Sequence, residues 1–397
     1  MLRVLVDGQI AGADGIGRYT TCLTVALRRV GGEGLELCTV PASAPRYTTA
    51  EGANLVDSVR HHRAELLHLP DYRVPLEPAP VPMLVTVHDV LRLRAPQYCY
   101  PDGVFAHRYG GNALAGLSAS VEKLRITTRW PPGATRRPRS LHEEFYGRML
   151  WLAAERAARI VVPTRTVADH LDEALGRDTD TIVAPPGTDH LRLPGPPPPL
   201  PAPLRSAGYL LYVGQNRAHK GLSTTMRGYL HSSAPRRDIP LVFVGRDFGA
   251  GRPAAAWATA AAGRHAVCLG EVGDELLGSL YAQAAGLLHL SHHEGFGFTP
   301  LEALATGCPV IVSDLPVLRE TLGLHGTFVP PGDTSQLPQA IDALLGRRPS
   351  GAAAQQQRTA WAARYRWDTH ARRILRCYAE VHQGGVRSYK SKGHQSG

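Results

Sequence analysis

Lysine is nearly absent from this chain: only four of its 44 basic residues are lysine, and the others are arginine. Beside them stand 41 glycines and 32 prolines, a bias of GC-rich coding rather than of a surface built for nucleic acid. The formal net charge of +10 is therefore weak evidence for such a partner. No basic-and-aromatic RNA motif and no DNA-reading module accompanies it, so no nucleic acid is expected. Cysteine is scarce as well. The six cysteines form no C-x-x-C pair, which argues against a zinc ribbon or a disulfide scaffold and fits a reducing cytosol. No apolar run reaches the ~20 residues needed to span a bilayer. The opening MLRVLVDG runs straight into a strand, so no signal peptide is expected. The expectation is a soluble, cytoplasmic protein that touches a membrane only peripherally.

What is present is apolar strand after apolar strand. Of the 397 residues 43% are hydrophobic, enough for two or three cores. The runs LRVLVD, LELCTV, ELLHLP, MLVTVHDV, RIVVPT and TIVAPPG alternate with helical stretches in the first half. YLLYVG, PLVFVG, AVCLGEV, GLLHLS, PVIVSD and GTFVPPG do so in the second. Continuous Val/Leu/Ile runs separated by helices mark parallel sheets covered on both faces. The fold class expected is α/β, with two Rossmann-like, doubly wound domains over 1–190 and 209–365. Between them 191–208 is proline-rich and reads as an extended linker. A closing helix is expected over 366–383 and a polar, disordered tail over 384–397. An insertion at about 101–142 is long for a connection, and such length is functional or disordered. It carries Lys123, Arg125, Arg129, Arg136, Arg137 and Arg139 around Trp130. Such a cluster can receive an acceptor's phosphate or carboxylate or rest on anionic lipid. A surface loop is the plain alternative.

Chemistry concentrates at strand ends, where ligands of such sheets bind. HHEGFGFTPLEALATG places Glu294 and Glu302 eight residues apart across a glycine turn. Gly295 and Gly297 precede a helix N-terminus, where free N–H groups and the dipole attract phosphate. Thr299 is the expected N-cap with Pro300 at the first helical position, so Glu302 is either half of a capping box or a ligand group. Glu294 has no structural role of that kind. YVGQNRAHKGL puts Arg217 and Lys220 between a strand and a helix, as a diphosphate clamp or a solvated pair. TVHDV leaves His88 and Asp89 at a strand end, structural or ligand-facing. DGQIAGADGIGRY carries Gly12, Gly15 and Gly17 without the G-x-G-x-x-G pattern, which disfavours a nicotinamide dinucleotide. It remains a phosphate or sugar loop, or only a turn. His289 and His293 alternate as on one strand face, but no metal-binding spacing is present, and no metal is expected.

Together these blocks resemble, in order, those of glycosyltransferase family 4, the retaining E-x7-E enzymes of GT-B fold, whose two domains face a central cleft. YRWDTHARRILRCYAEV is similar to that family's closing helix, which crosses back to the first domain. The resemblance implies that Glu294 binds donor-sugar hydroxyls, helped by the amides of Gly295, Phe296, Gly297 and Phe298. It implies that Glu302 holds the ribose and that Arg217 and Lys220 stabilise the leaving nucleoside diphosphate. Gly15 and Gly17 lie under the phosphates, His88 near the donor sugar, and Arg18, Tyr19 and Asp89 toward the acceptor. No cofactor is implied beyond the UDP-, GDP- or other nucleotide-sugar donor. The expected activity is metal-independent hexosyl transfer to a hydroxyl of a small secondary metabolite, as in bacterial antibiotic biosynthesis, or of a glycan. The alternative is a cell-surface polysaccharide or glycolipid mannosyl- or glucosyltransferase. A sugar-nucleotide 2-epimerase of the same fold and an inactive binding module rank below. A monomer or a homodimer is expected.

Overall fold

The computed structural model describes residues 1–9, 15–41, 46–134, 136–191, 198–201, 204, 208–346 and 351–384. The chain divides into two compact units. The first takes Met1–Pro185 with the chain from Asp368 onward, and the second takes Pro186–Trp367.

The first unit holds a parallel sheet of β1 (Leu2–Asp7), β2 (Leu35–Val40), β3 (Leu66–Leu69), β4 (Met83–Thr86), β5 (Arg159–Val162) and β6 (Thr181–Val183), in the order β2-β1-β3-β4-β5-β6. The second holds β7 (Leu210–Val213), β8 (Leu241–Val244), β9 (Ala266–Gly270), β10 (Gly286–His289), β11 (Val310–Ser313) and β12 (Thr327–Val329), in the order β12-β11-β10-β7-β8-β9. Every pairing is parallel. β3, β4, β8, β10 and β11 are buried at every position, which is why each reads as an unbroken apolar run. In the second sheet the strand order reverses between β7 and β10, and the loops at their carboxyl ends are where a doubly wound sheet presents a ligand site.

Two sequence expectations are corrected. The insertion is not a surface loop. It folds as the helices Asp102–Tyr109 and Gly111–Thr127 leading to Leu141–Arg156. Phe105, Leu117, Val121 and Leu124 are fully buried in the first core. The stripe at 117, 121 and 124 has helical spacing, but the alanines and glycines around it hide it in the sequence. Its basic residues are partly engaged within the unit. Arg125 meets Glu144 through two bonds of 2.8 and 2.6 Å, Arg136 meets Glu143 at 2.7 Å, and Arg129 covers the Trp151 ring at 4.1 Å. The proline-rich segment, read as an extended linker, is where described packed into the second unit. Leu191, Leu200 and Leu204 are buried in a core of the second unit, which begins at Pro186. The rest of that segment and the chain beyond Gly384 lie outside the described residues.

The helix Trp367–Gln383 belongs to the first unit from Asp368 on. Ala371, Ile374, Tyr378 and Val381 are buried along one stripe. The Tyr378 hydroxyl lies 2.7 Å from His68 Nδ1 on β3, and His370 Nε2 lies 3.1 Å from the Tyr19 hydroxyl.

Candidate functional site

The two loops at the reversal point of the second sheet are joined through backbone. Gly221 has φ +62°, and a Cβ there would stand 1.9 Å from the Leu290 carbonyl oxygen. The His292 amide donates to the His219 carbonyl at 2.7 Å. This contact brings Lys220, from the loop after β7, to Glu294, from the loop after β10, with Nζ 2.7 Å from Oε1. His289 Nε2 lies 2.9 Å from the same oxygen, and the Ser291 hydroxyl 3.2 Å from that ring nitrogen. Burial alone would push the Glu294 carboxyl up. The Lys220 ammonium and the His289 hydrogen bond outweigh it and hold the carboxyl well below the usual range. Glu294 is thus an anion fixed in place. Arg217 Nε donates to Gln215 Oε1 at 2.8 Å on the first loop. We expect Gly221→Ala to cost about 1–3 kcal/mol in backbone strain and to weaken ligand binding at Lys220 and Glu294 together. A denaturant titration of both variants checks this: Gly15→Ala, where a Cβ meets nothing within 4 Å, should leave stability unchanged.

The capping-box reading of Thr299 and Glu302 is corrected. The helix runs Phe298–Ala305 with Gly297 as N-cap at φ +85° and no side-chain cap. A Cβ on Gly297 would stand 2.5 Å from Leu318 Cδ2, so the turn needs glycine and the helix starts before Thr299. Pro300 is then its third residue rather than its first. Glu302, only 4% exposed, turns to tertiary partners instead. Its Oε1 lies 3.1 Å from His190 Nε2, and its Oε2 accepts from the Tyr281 hydroxyl at 3.1 Å. Phe296 is buried with its ring edge-on to Phe298, and Phe298 stacks on Trp367. His289 closes β10 and His293 lies beyond it, so the shared strand face does not exist. Among the described residues no group of three or more His, Cys, Asp or Glu is placed to hold a metal ion.

The other candidate residues lie in the first unit. Gly15 opens the helix Gly15–Gly31, exposed, and Gly17 is buried in its first turn. Gly12 lies outside the described residues. Arg18 is half-buried. Tyr19 is 1% exposed and hydrogen-bonded inside the core, which corrects its reading as an acceptor contact. Its ring meets His88 edge-on at 4.6 Å. His88 Nε2 lies 2.8 Å from the Pro70 carbonyl, which only accepts, so that nitrogen carries the proton. Burial lowers the His88 pKa, against Asp71 and the Pro70 bond, which raise it. Asp89 Oδ1 accepts from the Leu91 amide at 2.9 Å, a local turn bond. Sequence reasoning weighed His289 only as a metal ligand, and missed His190 and a buried ion group in which Arg73 reaches Glu51 at 2.5 Å and Asp71 at 2.8 Å, near Asp7 at the end of β1. Asp7 closing LRVLVD was a readable signal. His190 had none, because its partner is 112 residues away.

Residues 207–347 match the model of the family described as Glycosyl transferases group 1. That match spans less than half of the chain. Lys220, His289, Glu294 and Glu302 all fall within it. The chain is similar to the O-antigen chain mannosyltransferase RfbU of Salmonella typhimurium, 44% identical over 73 residues, 18% of this chain and 21% of that one. It is similar to O-antigen chain mannosyltransferase B of Escherichia coli, 31% identical over 134 residues, 33% and 35% of the two chains. The chain thus spans between a fifth and about a third of these curated relatives' length. Among solved structures it resembles sucrose-phosphate synthase of Thermosynechococcus elongatus with TM-score 0.66, at 16% identity over 97% of this chain and 100% of that one. That likeness is one of fold, the α/β architecture of GT-B glycosyltransferases. Among the described residues no helix is long and apolar enough to cross a membrane.

Proposed function

We propose that the chain is a retaining glycosyltransferase that moves a hexose, mannose by preference, from a nucleotide-sugar donor to a hydroxyl of a cell-surface polysaccharide or glycolipid. The observation that carries this is the Lys220–Glu294–His289 constellation beside a glycine turn and a helix N-terminus, inside the family domain. The O-antigen names of the relatives favour a surface glycan over the small secondary metabolite first expected from the sequence.

The chemistry fits these groups. Breaking the anomeric C–O bond leaves negative charge on the diphosphate and positive charge on the sugar. In this proposal Lys220 and Arg217, with the amides ahead of Phe298, take the negative charge without a metal. Glu294 binds sugar hydroxyls and faces the cationic centre. Glu302 holds the ribose. The acceptor hydroxyl attacks from the face the diphosphate leaves, and the diphosphate takes its proton. The roles that the family resemblance gives Gly15, Gly17, Arg18, His88 and Asp89 are part of the same proposal.

A thermal-shift panel of UDP, GDP, ADP and dTDP and their sugars tests the reading. The correct nucleotide, at a hundred times its Kd, should stabilise by about 2.7 kcal/mol. Transfer should survive excess EDTA. Activity lost to chelator and restored by manganese would overturn the metal-free clamp, and no shift with any nucleotide would overturn the donor site.

A further inference from the structure

Glu302 is a charged group in a nearly closed place, and its orientation is set from both ends of the second unit. His190 stands in the unit's first turns and Trp367 is its last residue. The Trp367 indole Nε1 lies 3.2 Å from His190 Nδ1, while His190 Nε2 lies 3.1 Å from Glu302 Oε1. An indole N–H only donates, so His190 Nδ1 must accept. The ring proton then sits on Nε2 and points at the carboxylate. The His190 and Glu302 side chains are only 8% and 6% exposed, so this bond is made away from water, where it is strong. The surrounding backbone leaves the histidine little freedom. The Trp367 amide donates to Asp189 Oδ1 at 2.8 Å and the Thr188 amide to the Tyr365 carbonyl at 3.1 Å. A Cβ on Gly187 would stand 2.1 Å from the Trp367 nitrogen.

We propose that His190 is a positioning residue for nucleotide recognition, held by Trp367 in the tautomer that donates to Glu302 and so aims its carboxylate at the vicinal hydroxyls of the ligand's ribose. This rests on the ribose role proposed above for Glu302. A residue of this kind acts only through the carboxylate, and its loss should be felt only by ligands that have the hydroxyls. A residue that merely fills the core would weaken all ligands alike.

The test compares GDP with 2′,3′-dideoxy-GDP, and UDP with its dideoxy analogue, by calorimetric titration of the full chain. Wild type should prefer the hydroxylated nucleotide by tenfold or more. His190→Leu should lose about tenfold for that nucleotide, the effect of removing a hydrogen bond to a charged group, and little for the analogue. His190→Gln keeps an N–H near the Nε2 position and should restore most of the preference, and Trp367→Phe should reduce it. Equal loss for both ligands in His190→Leu, or no rescue by His190→Gln, would make the histidine structural only and overturn the proposal. If wild type and Glu302→Gln alike show no preference for the hydroxyls, the ribose role of Glu302 is what fails. Should His190→Leu not fold, Trp367→Phe and His190→Gln carry the comparison.

Discussion

Replacing Glu294 by glutamine should lower kcat by about 10²-fold or more, the effect of losing one preorganised transition-state partner. The carboxylate is held ionised by Lys220 at 2.7 Å and His289 at 2.9 Å, so its charge is ready before the sugar becomes cationic. An amide of the same shape keeps hydrogen bonds but loses that charge. Because the charge is needed only as the anomeric bond breaks, kcat should fall while the donor KM changes little. Glu294→Ala is a poorer test. The Glu294 side chain is 11% exposed and sits beside a cation, and deleting it should also cost about 1–3 kcal/mol of stability. The measurement is steady-state transfer with the nucleotide identified by thermal shift, alongside circular dichroism of the variant. A folded Glu294→Gln protein with wild-type kcat would show that the carboxylate takes no part in the reaction.

The first unit should lose stability steeply as pH falls below neutrality. His68, His142 and His370 are all buried there, and burial lowers the pKa of each from 6.5 to about 3. The sign follows from proton counting. Above 6.5 neither the folded nor the unfolded chain protonates them, so their neutral burial costs nothing in protons. Below 6.5 the unfolded chain binds protons that the folded chain refuses until about pH 3, so unfolding is favoured. Each histidine contributes about 1.4 kcal/mol per pH unit, about 4 in all, across that window. The hydrogen bonds agree. His142 Nδ1 accepts from the Tyr100 amide at 3.2 Å, a bond that protonation there would break. Guanidinium unfolding at pH 7, 6 and 5 should show the slope. His142→Asn keeps an acceptor near Nδ1 and should flatten it by about 1.4 kcal/mol per pH unit. A stability that is flat from pH 7 to 5, or unaltered in slope by His142→Asn, would contradict the neutral burial.

The two sheets were legible because their central strands are buried on both faces. LLHL, MLVT, LVFV, GLLH and VIVS have no exposed position, so composition alone marks them. The helices of the insertion were not legible. Their buried face is a few large residues among alanines and glycines, and the conspicuous feature, the arginines, is the outer one. Thr299 shows a local rule overridden by a neighbour. The T-x-x-E spacing promised a capping box, but Leu318 packs against the Gly297 turn and the helix starts two residues earlier. Glu302 then points elsewhere. Tyr19, beside the glycine loop, read as a ligand contact, while the closing helix buries it under His370.

By itself the sequence determined the twelve parallel strands found among the described residues, the division into two α/β units, and the strand ends on which Lys220, Arg217, Glu294 and His88 lie. These depend on hydrophobic runs and on glycines next to them, which are local properties. Only the tertiary structure decided which of those residues meet. Lys220 and Glu294 are 74 residues apart and touch because β7 and β10 are neighbours in the sheet. His190 reaches Glu302 across 112 residues because the two ends of the second unit close against each other. A carboxylate's charge and direction depend on such partners, and chain order does not record which partner a fold will bring.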